Sequence, residues 1–513
     1  MGRVYLTTPL YYVNAEPHLG HTYTTIVADT LARWHRDRGD DTLLVTGTDE
    51  HGDKIAQAAA AAGATPREHA DRVSGLFRDT WDAIGISYDH FIRTTDDYHV
   101  RTVQDIARRM EAAGDIYFGR YGGLYCYGCE RFYTEKELVD GLCPDHRVAP
   151  TYIEEENYFF RMSRYQQRLI DELEQHPERI EPERYRNEVL AILRGEALGD
   201  LCISRPKTRL SWGIELPFDD RYVAYVWVDA LTNYVSAIRH IRPEQFDQYW
   251  PQAEHLIAKD ILKQHGIFWP TMLMSAGLPL FKCLHVHGYW TLGESKMSKS
   301  LGNVIRPLEM KQRFGMEAFR YFLLREMAFG QDATFSEDAF VTRVNADLAN
   351  NLGNLVSRTL AMQQRYFGGS VQPLGAGTDE DRELAAAFAT ARQEVALFTE
   401  QLAFHRALEA LWRAIDRANK YITATAPFTL VKDPATKPRA GAVLHHLVEG
   451  LFVAAVLLRP FLPDTAGRIL ELLDLPSDAA LPGASEWGAA IPDGHRTRNP
   501  EILFPRIETA GAQ

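Results

Sequence analysis

The chain has 513 residues, 45% of them apolar and 24% charged. This is the composition of an ordinary globular protein with room for roughly three domains. A net charge of −13 excludes a protein that coats nucleic acid indiscriminately, because such a protein would be basic. Selective contact through local basic strips, such as 179–194, stays open. The longest clean apolar run near the C-terminus, Leu451–Leu458, stops at Arg459 and Pro460, well short of the ~20 residues of a membrane helix. No apolar segment follows a basic one at the N-terminus, so neither a signal peptide nor a membrane span is expected, and the expected location is cytoplasmic.

Arg3–Thr8 is β-branched and apolar and reads as a buried strand ended by Pro9. Asn14, Pro17 and Gly20 make a turn, and Thr22–Arg38 reads as a helix stopped by Gly39. His18 and His21 therefore fall where a strand passes into a helix N-terminus. Free N–H groups and the helix dipole favour an anion there. Gly20 lets a flat ring or a phosphate approach the backbone, and two imidazoles can donate to phosphate oxygens whose charge grows in a transition state. Read alone, the two histidines could simply pack or cap. A strand at Thr42–Gly47 and helices through the Ala-rich stretch 55–62 continue a βαβ pattern, that of a parallel sheet, over residues 1–115.

The pattern breaks over 116–221, where aromatics, glycines and two short pairs dominate. Cys126-x2-Cys129 is followed after 13 residues by Cys143-x2-His146. Each turn aims two soft ligands at one point, and four such ligands satisfy tetrahedral Zn2+. The odd total of five cysteines, the histidine in fourth place and a cytosolic setting disfavour a disulfide. Four protein ligands leave no open position, so the zinc is expected to be structural. Cys202 and Cys283 read as core thiols.

Strand-like Tyr222–Val228 and His255–Ala258 are expected to resume the sheet, with a helix over Ile261–Met274, so that 222–290 completes what 1–115 began. Ligands of such sheets sit at the carboxyl ends of the strands, where His18, His21, Asp49, Trp227 and Asp260 are expected. In the linking segment 291–340, Lys296-Met297-Ser298-Lys299-Ser300 lies between Gly293 and Gly302 and reads as a loop. Lysine is a compact charge on a flexible stem, suited to a pyrophosphate, and serine adds hydroxyl donors. By itself such a run is commonly a solvated basic turn. Over 341–513 the helical stretches Asp347–Tyr366, Asp379–Leu402, His405–Thr423 and Lys437–Leu458 predict a bundle, with an irregular tail after Pro476. The expected fold is thus α/β, a Rossmann-like parallel sheet split by a zinc-containing insertion and followed by an all-α helical bundle.

The HxGH of 18–21 together with the KMSKS of 296–300 resembles the signature pair of class I aminoacyl-tRNA synthetases. Thr8–Tyr12, Gly47-Thr48-Asp49-Glu50-His51-Gly52, Val226–Leu231, Lys259-Asp260-Ile261 and His285–Tyr289 are similar to blocks of the methionyl-tRNA synthetase family, in its order. The likeness runs from Tyr5 to about Glu508, and the family's single-zinc-knuckle type fits the Cys/His pairs. The resemblance implies activation of L-methionine by ATP with Mg2+, followed by transfer to tRNA. No general base or protein nucleophile is needed, because the substrate carboxylate attacks the α-phosphate in line and catalysis is positioning and charge stabilisation.

Residue by residue, the resemblance implies that His18, His21, Lys296 and Lys299 are catalytic, and that Gly20, Asp260, Gly288 and Ser298 join them around ATP. Ala258 stands where the family commonly has glycine. Leu10, Tyr12, Asp49, Trp227, Ala230, Leu231, Tyr234, Ile261 and His265 match methionine-pocket positions, with Asp49 for the α-ammonium. A helix-capping Asp49 and plain core for the aromatics are the alternatives. Asn354 and Arg358 lie at i, i+4 and share a helix face; they match the family's anticodon-contacting pair. Phe428, after Pro427, stands where the family usually has tryptophan for stacking a base. Longer relatives carry a further C-terminal dimer-forming domain, so a monomer is expected here. The rival readings are another class I synthetase, a small nucleotidylyltransferase, or a tRNA-binding protein without catalysis.

Overall fold

The computed structural model describes residues 2–128, 131–133, 135–144, 147–195, 197–292, 295–296, 304–481 and 487–508. The chain forms two compact units, 1–288 and 289–513.

The first unit is built on a seven-stranded sheet. Its strands are β1 (Arg3–Thr7), β2 (Tyr11–Tyr12), β3 (Asp41–Asp49), β4 (His90–Arg93), β5 (Ile180–Glu181), β6 (Ala253–Ala258) and β7 (Cys283–His287). Their order is β2-β3-β1-β6-β7-β5, with β4 also on β3, and every pairing is parallel. The burial of β1 and β3 after their first residue explains their unalternating apolar runs, because helices cover both faces of a parallel sheet. After β1 the chain crosses through helix α1 (Leu19–Asp37) to β3 on one side. It reaches β6, on the other side of β1, only after the insertion. The strand order therefore reverses at β1, and such a reversal opens a crevice at the carboxyl edge.

The insertion forms a four-stranded antiparallel sheet, ordered Arg131–Tyr133, Ile116–Cys126, Thr151–Phe160, Leu201–Cys202. Arg209 ties it to the parallel sheet's helices, reaching Asp53 at 2.8 Å and Glu155 at 3.0 Å. The Tyr125 hydroxyl donates to the same Asp53 at 3.2 Å. One strand of the parallel sheet, β5, comes from within 116–221.

One expectation fails here. Tyr222–Val228 does not resume the parallel sheet. Asp219–Ala224 is a strand of a separate antiparallel sheet with Ser204–Pro206 and Glu215–Leu216, and Val226–Ile241 is helix α2. Twelve of the sixteen residues of α2 are buried, so its first turn shows a continuous apolar run that periodicity cannot tell from a buried strand. The run Leu451–Leu458 is the end of the helix expected over Lys437–Leu458, described next.

In the second unit, Trp290–Leu292 pairs parallel with Ala333–Phe335 and antiparallel with Ser295–Lys296. A π-helical stretch, Val344–Gly353, leads into α3 (Asn354–Phe367), followed by α4 (Asp379–Glu400), α5 (Phe404–Thr425) and α6 (Lys437–Leu458). By length and composition α6 could cross a membrane, but its apolar window is wholly buried inside the protein. It is the bundle's core helix.

Gly47 pairs with Ile92 across β3 and β4, and a Cβ there would lie 1.9 Å from the Ile92 carbonyl oxygen. Gly47→Ala must push two core strands apart and should lower stability by at least ~1–3 kcal/mol in thermal unfolding. Gly75→Ala, in the helix Pro66–Ala83 with nothing within 4 Å of the added carbon, should raise it by ~0.5–1 kcal/mol.

Candidate active site

The carboxyl ends of β1, β3, β6 and β7 collect the candidate residues of the first unit. Helix α1 begins three residues earlier than expected, because His18 itself caps it. The His18 ring accepts the Gly20 N–H through Nδ1 at 3.1 Å, and the His21 Nδ1 accepts the His18 N–H at 3.4 Å. This is a capping box built from two imidazoles. The rings stack with centroids 3.7 Å apart, and His21 leans on Tyr11 at 4.8 Å and Phe77 at 5.4 Å. Since Nδ1 accepts in both rings, the neutral tautomer carries its proton on Nε2. The cap thus selects the tautomer that donates outward. No acidic residue lies in the first turn of α1 to repel an incoming anion. Gly20 is needed for a local reason: a Cβ would sit 3.1 Å from His18 Cε1.

Asp49 ends β3, only 2% exposed, and its Cα pairs with that of Tyr12. It is not a helix cap, since Gly52 holds that position for Asp53–Ala61 at φ 106°. Asp260 is exposed on the short turn Lys259–Ile261 directly after β6. Gly288 is buried just past β7, beside His287. The His287 Nδ1–H donates to the Gly288 carbonyl at 2.7 Å, and its Nε2 accepts the Thr24 hydroxyl at 2.7 Å, joining β7 to α1.

The methionine-pocket candidates gather along α2 and the segment after β6. Leu231 and Tyr234 belong to the buried core, and Leu10, Tyr12, Trp227 and Ile261 pack partly exposed on it. Ala230 is buried on the same helix. Trp227 lies in the first turn of α2, not at a strand end, and meets His265 edge-on at 6.0 Å. His265 donates from Nδ1 to the Ile261 carbonyl at 2.9 Å, so its Nε2 accepts the Tyr234 hydroxyl at 2.8 Å. Burial pulls its pKa down to about 4, and burial does the same for His287, also to about 4. Both rings are neutral at pH 7.

Sequence reasoning missed the groups that brace this edge. Asp229, buried on α2, accepts from His51 and His99 at 2.7 Å each. Burial pushes its carboxyl up, but the imidazoles, His51 first, hold it below the usual carboxylate range. Buried Glu50 takes Arg93 at 2.6 and 2.9 Å and the Thr48 hydroxyl at 2.8 Å. His51 and Asp229 stand inside sequence blocks already singled out; no spacing rule joins residues 178 positions apart.

Of the lysine loop, Ser298 and Lys299 lie outside the described residues, and for Lys296 only the backbone, pairing with Thr291, is described. Cys129 and His146 are likewise outside. Cys126 and Cys143 are buried in one small cluster with Tyr133, and the Cys143 thiol lies 3.4 Å from the Tyr133 hydroxyl. The Cys143 carbonyl accepts the Arg147 N–H at 2.8 Å. Two neighbouring buried thiols fit zinc as half of a ligand set. In the second unit Asn354 is exposed and Arg358 half-buried on α3, and the Phe428 ring is 43% exposed.

A family model for class I tRNA synthetases of the M type matches residues 4–151 and 147–360, so fold and site define a class I aminoacyl-tRNA synthetase. A model for the anticodon binding domain of methionyl tRNA ligase matches 371–513. The chain is 44% identical to the methionine–tRNA ligase of Caldanaerobacter subterraneus subsp. tengcongensis, covering 98% of this chain and 79% of that one. It is 45% identical to that of Deinococcus radiodurans, over 98% and 74%. A solved structure of Mycobacterium tuberculosis methionyl-tRNA synthetase in complex with methionyl-adenylate superposes with a TM-score of 0.93 at 41% identity, over 99% of this chain and 100% of that one. The chain belongs to the methionyl-tRNA synthetase family.

The low pKa of His265 has a measurable consequence. The unfolded chain takes up this proton below about pH 6.5, the folded protein only near 4. Its neutral burial is therefore free above pH 6.5 and costs ~1.4 kcal/mol of stability per pH unit as pH falls toward 4. His265→Gln should shrink the loss of urea stability between pH 7 and pH 5 by ~2 kcal/mol. An unchanged loss would mean the ring is already charged in the folded protein.

Proposed function

We propose that the cleft at the carboxyl edge of the sheet performs the family reaction with the following division of labour. Methionine lies against Leu10, Tyr12, Trp227, Ala230, Leu231, Tyr234, Ile261 and His265. Its α-ammonium faces Asp49, a buried carboxylate in a mostly apolar site. The thioether is polarisable and weakly accepting, and the Tyr234–His265 pair offers it a polar neighbour without a charge. Asp260, exposed just beyond β6, accepts from the ribose hydroxyls of ATP, and Gly288 leaves the backbone close to the nucleotide.

The methionine carboxylate attacks the α-phosphorus of Mg2+-bound ATP. The P–O bond to pyrophosphate breaks, and methionyl-adenylate forms. His18 and His21 donate from Nε2 to phosphate oxygens as their charge grows. Lys296, Ser298 and Lys299 take the departing pyrophosphate. A terminal ribose hydroxyl of tRNA then attacks the adenylate's carbonyl carbon and AMP leaves. What supports this assignment most is the imidazole capping box, because it spends both Nδ1 atoms on the helix start and so places the proton of each neutral ring on Nε2.

On this reading 116–221 is a connective insertion holding one structural zinc through Cys126, Cys129, Cys143 and His146, and 222–290 completes the catalytic domain. Residues 291–340 carry the lysine loop, and 341–513 reads the anticodon through Asn354, Arg358 and Phe428. Zinc supplies a crosslink there and no chemistry. The enzyme acts as a cytoplasmic monomer.

The purified chain should catalyse methionine-dependent ATP–pyrophosphate exchange. His18→Ala or Lys299→Ala should lower the exchange rate by ~10²–10³, the usual cost of one transition-state donor. Exchange driven by leucine or cysteine but not by methionine would overturn the pocket assignment. Metal analysis should find about one zinc per chain, lost in Cys126→Ser.

A further inference from the structure

Away from the catalytic edge, near the amino ends of β6 and β7, four polar side chains share one face of the sheet. Cys283 and His285 are two residues apart on β7 and point the same way. Across the parallel pairings Cys283 faces Glu254 of β6, and His285 faces Glu181 of the edge strand β5. The register thus makes the cluster.

The distances are those of a ligand set. Cys283 Sγ lies 3.6 Å from His285 Nδ1, which lies 3.7 Å from Glu181 Oε2. All three donor atoms fall within 4.8 Å of one another. Zinc bond lengths and a tetrahedral angle require donor separations of about 3.3–3.6 Å. The His285 contacts already meet this to within a few tenths of an ångström. The half-exposed Glu181 side chain can close the remaining gap by rotation. The other ring nitrogen of His285 donates to Glu254 Oε2 at 2.8 Å, and Lys282 holds the second oxygen of that carboxylate at 2.6 Å. A carboxylate behind a histidine fixes the ring and places the lone pair on the opposite nitrogen, the arrangement that surrounds metal-bound histidines. Here that nitrogen faces the thiol and the second carboxylate. Cys283 and His285 are 5% and 4% exposed, so the site opens only past Glu181.

We propose that Glu181, Cys283 and His285 form a second metal site, for a borderline-soft divalent cation such as Zn2+, with Glu254 as the positioning residue for His285 and a fourth position open to water. Thiolate, imidazole and one carboxylate select Zn2+ over Mg2+ or Ca2+, which prefer oxygen donors. With three protein ligands the site binds more weakly than the four-ligand knuckle and fills when zinc is supplied. Its metal pins the short edge strand β5 to β7 and stabilises the folded chain by mass action. Cys283 is thereby no ordinary core thiol.

The test uses the full chain with its knuckle metal in place and does not read activity. Titration with Zn2+ against a chromophoric chelator should show about one equivalent beyond the metal present at purification. Co2+ added instead should develop a thiolate charge-transfer band. Cys283→Ser should abolish that band and weaken the added equivalent by ~100-fold, and Glu254→Gln should weaken it by ~10–100-fold. Glu181→Gln changes an exposed side chain, keeps the fold, and should also weaken binding by ~10-fold or more. No added equivalent, or one that persists unchanged in both Cys283→Ser and Glu181→Gln, overturns the proposal. So does Co2+ binding without the thiolate band.

Discussion

The junction of β1 with α1 must do two things that usually conflict. A helix buried along most of its length needs its first N–H groups satisfied, and the anion site proposed for this junction needs side-chain donors. A serine or aspartate cap meets the first need and ends there. An imidazole has a second nitrogen. With His18 and His21 accepting backbone N–H groups at Nδ1, two N–H groups at the helix start are satisfied and each neutral ring carries its proton on Nε2. The stacking of the rings and the glycine between them follow from the same demand for close approach.

That logic of neutral histidines extends along the sheet edge. His265 and His287 are each held by one donated and one accepted hydrogen bond, and burial keeps both uncharged at pH 7. In so buried a setting, a permanent charge would cost desolvation energy without a partner. The buried negative charges of this unit are paired instead: Asp229 between two histidines, Glu50 with Arg93. Burying a paired charge is tolerable where burying a lone one is not. These pairs brace the strand ends from behind.

The sequence showed some layers of this structure and hid others, for physical reasons. β1 and β3 and the helices α4, α5 and α6 were legible because each is long or strongly apolar between clear stops; α6 was placed at Lys437–Leu458 to the residue. The first turn of α2 was misread as strand because a helix with twelve of its sixteen residues buried shows little polar face to reveal its period. The start of α1 was misplaced because histidine is not an ordinary cap. His18, His21, the lysine loop and the Cys/His pairs carried a signal of their own in residue type and spacing; Asp49, Asp260 and the methionine-pocket candidates drew their roles from resemblance to a family, and the hydrogen bonds that set protonation were not legible at all. Whether Nδ1 or Nε2 carries a proton depends on which carbonyl lies opposite, as with Ile261 for His265 and Gly288 for His287.

Helix α6 poses the converse problem. Mostly apolar all round, it has little amphipathic stripe to fix its rotation in the bundle, and apolar packing alone tolerates alternatives. A few polar contacts do that instead. In its middle, the Trp487 indole N–H donates to His446 at 2.9 Å, and Glu449 accepts the N–H groups of Gly488 and Ala490 at 3.1 and 3.3 Å. At the start, Arg439 binds both oxygens of Asp381 at 2.7 Å, and Asp381 also accepts the Thr378 N–H that opens α4. His445 donates to the Gln372 carbonyl at 2.7 Å. Past its last turn, buried Arg320 reaches the carbonyls of Phe461 and Pro460 at 2.6 and 3.1 Å, where the helix dipole favours a cation. One carboxylate that caps α4 and clamps α6 sets the register of both. That fixed core gives α3, which packs on α6, a defined rotation, and with it a defined place for the exposed Asn354 and half-buried Arg358: a rigid helix face requires a bundle whose most apolar member cannot turn.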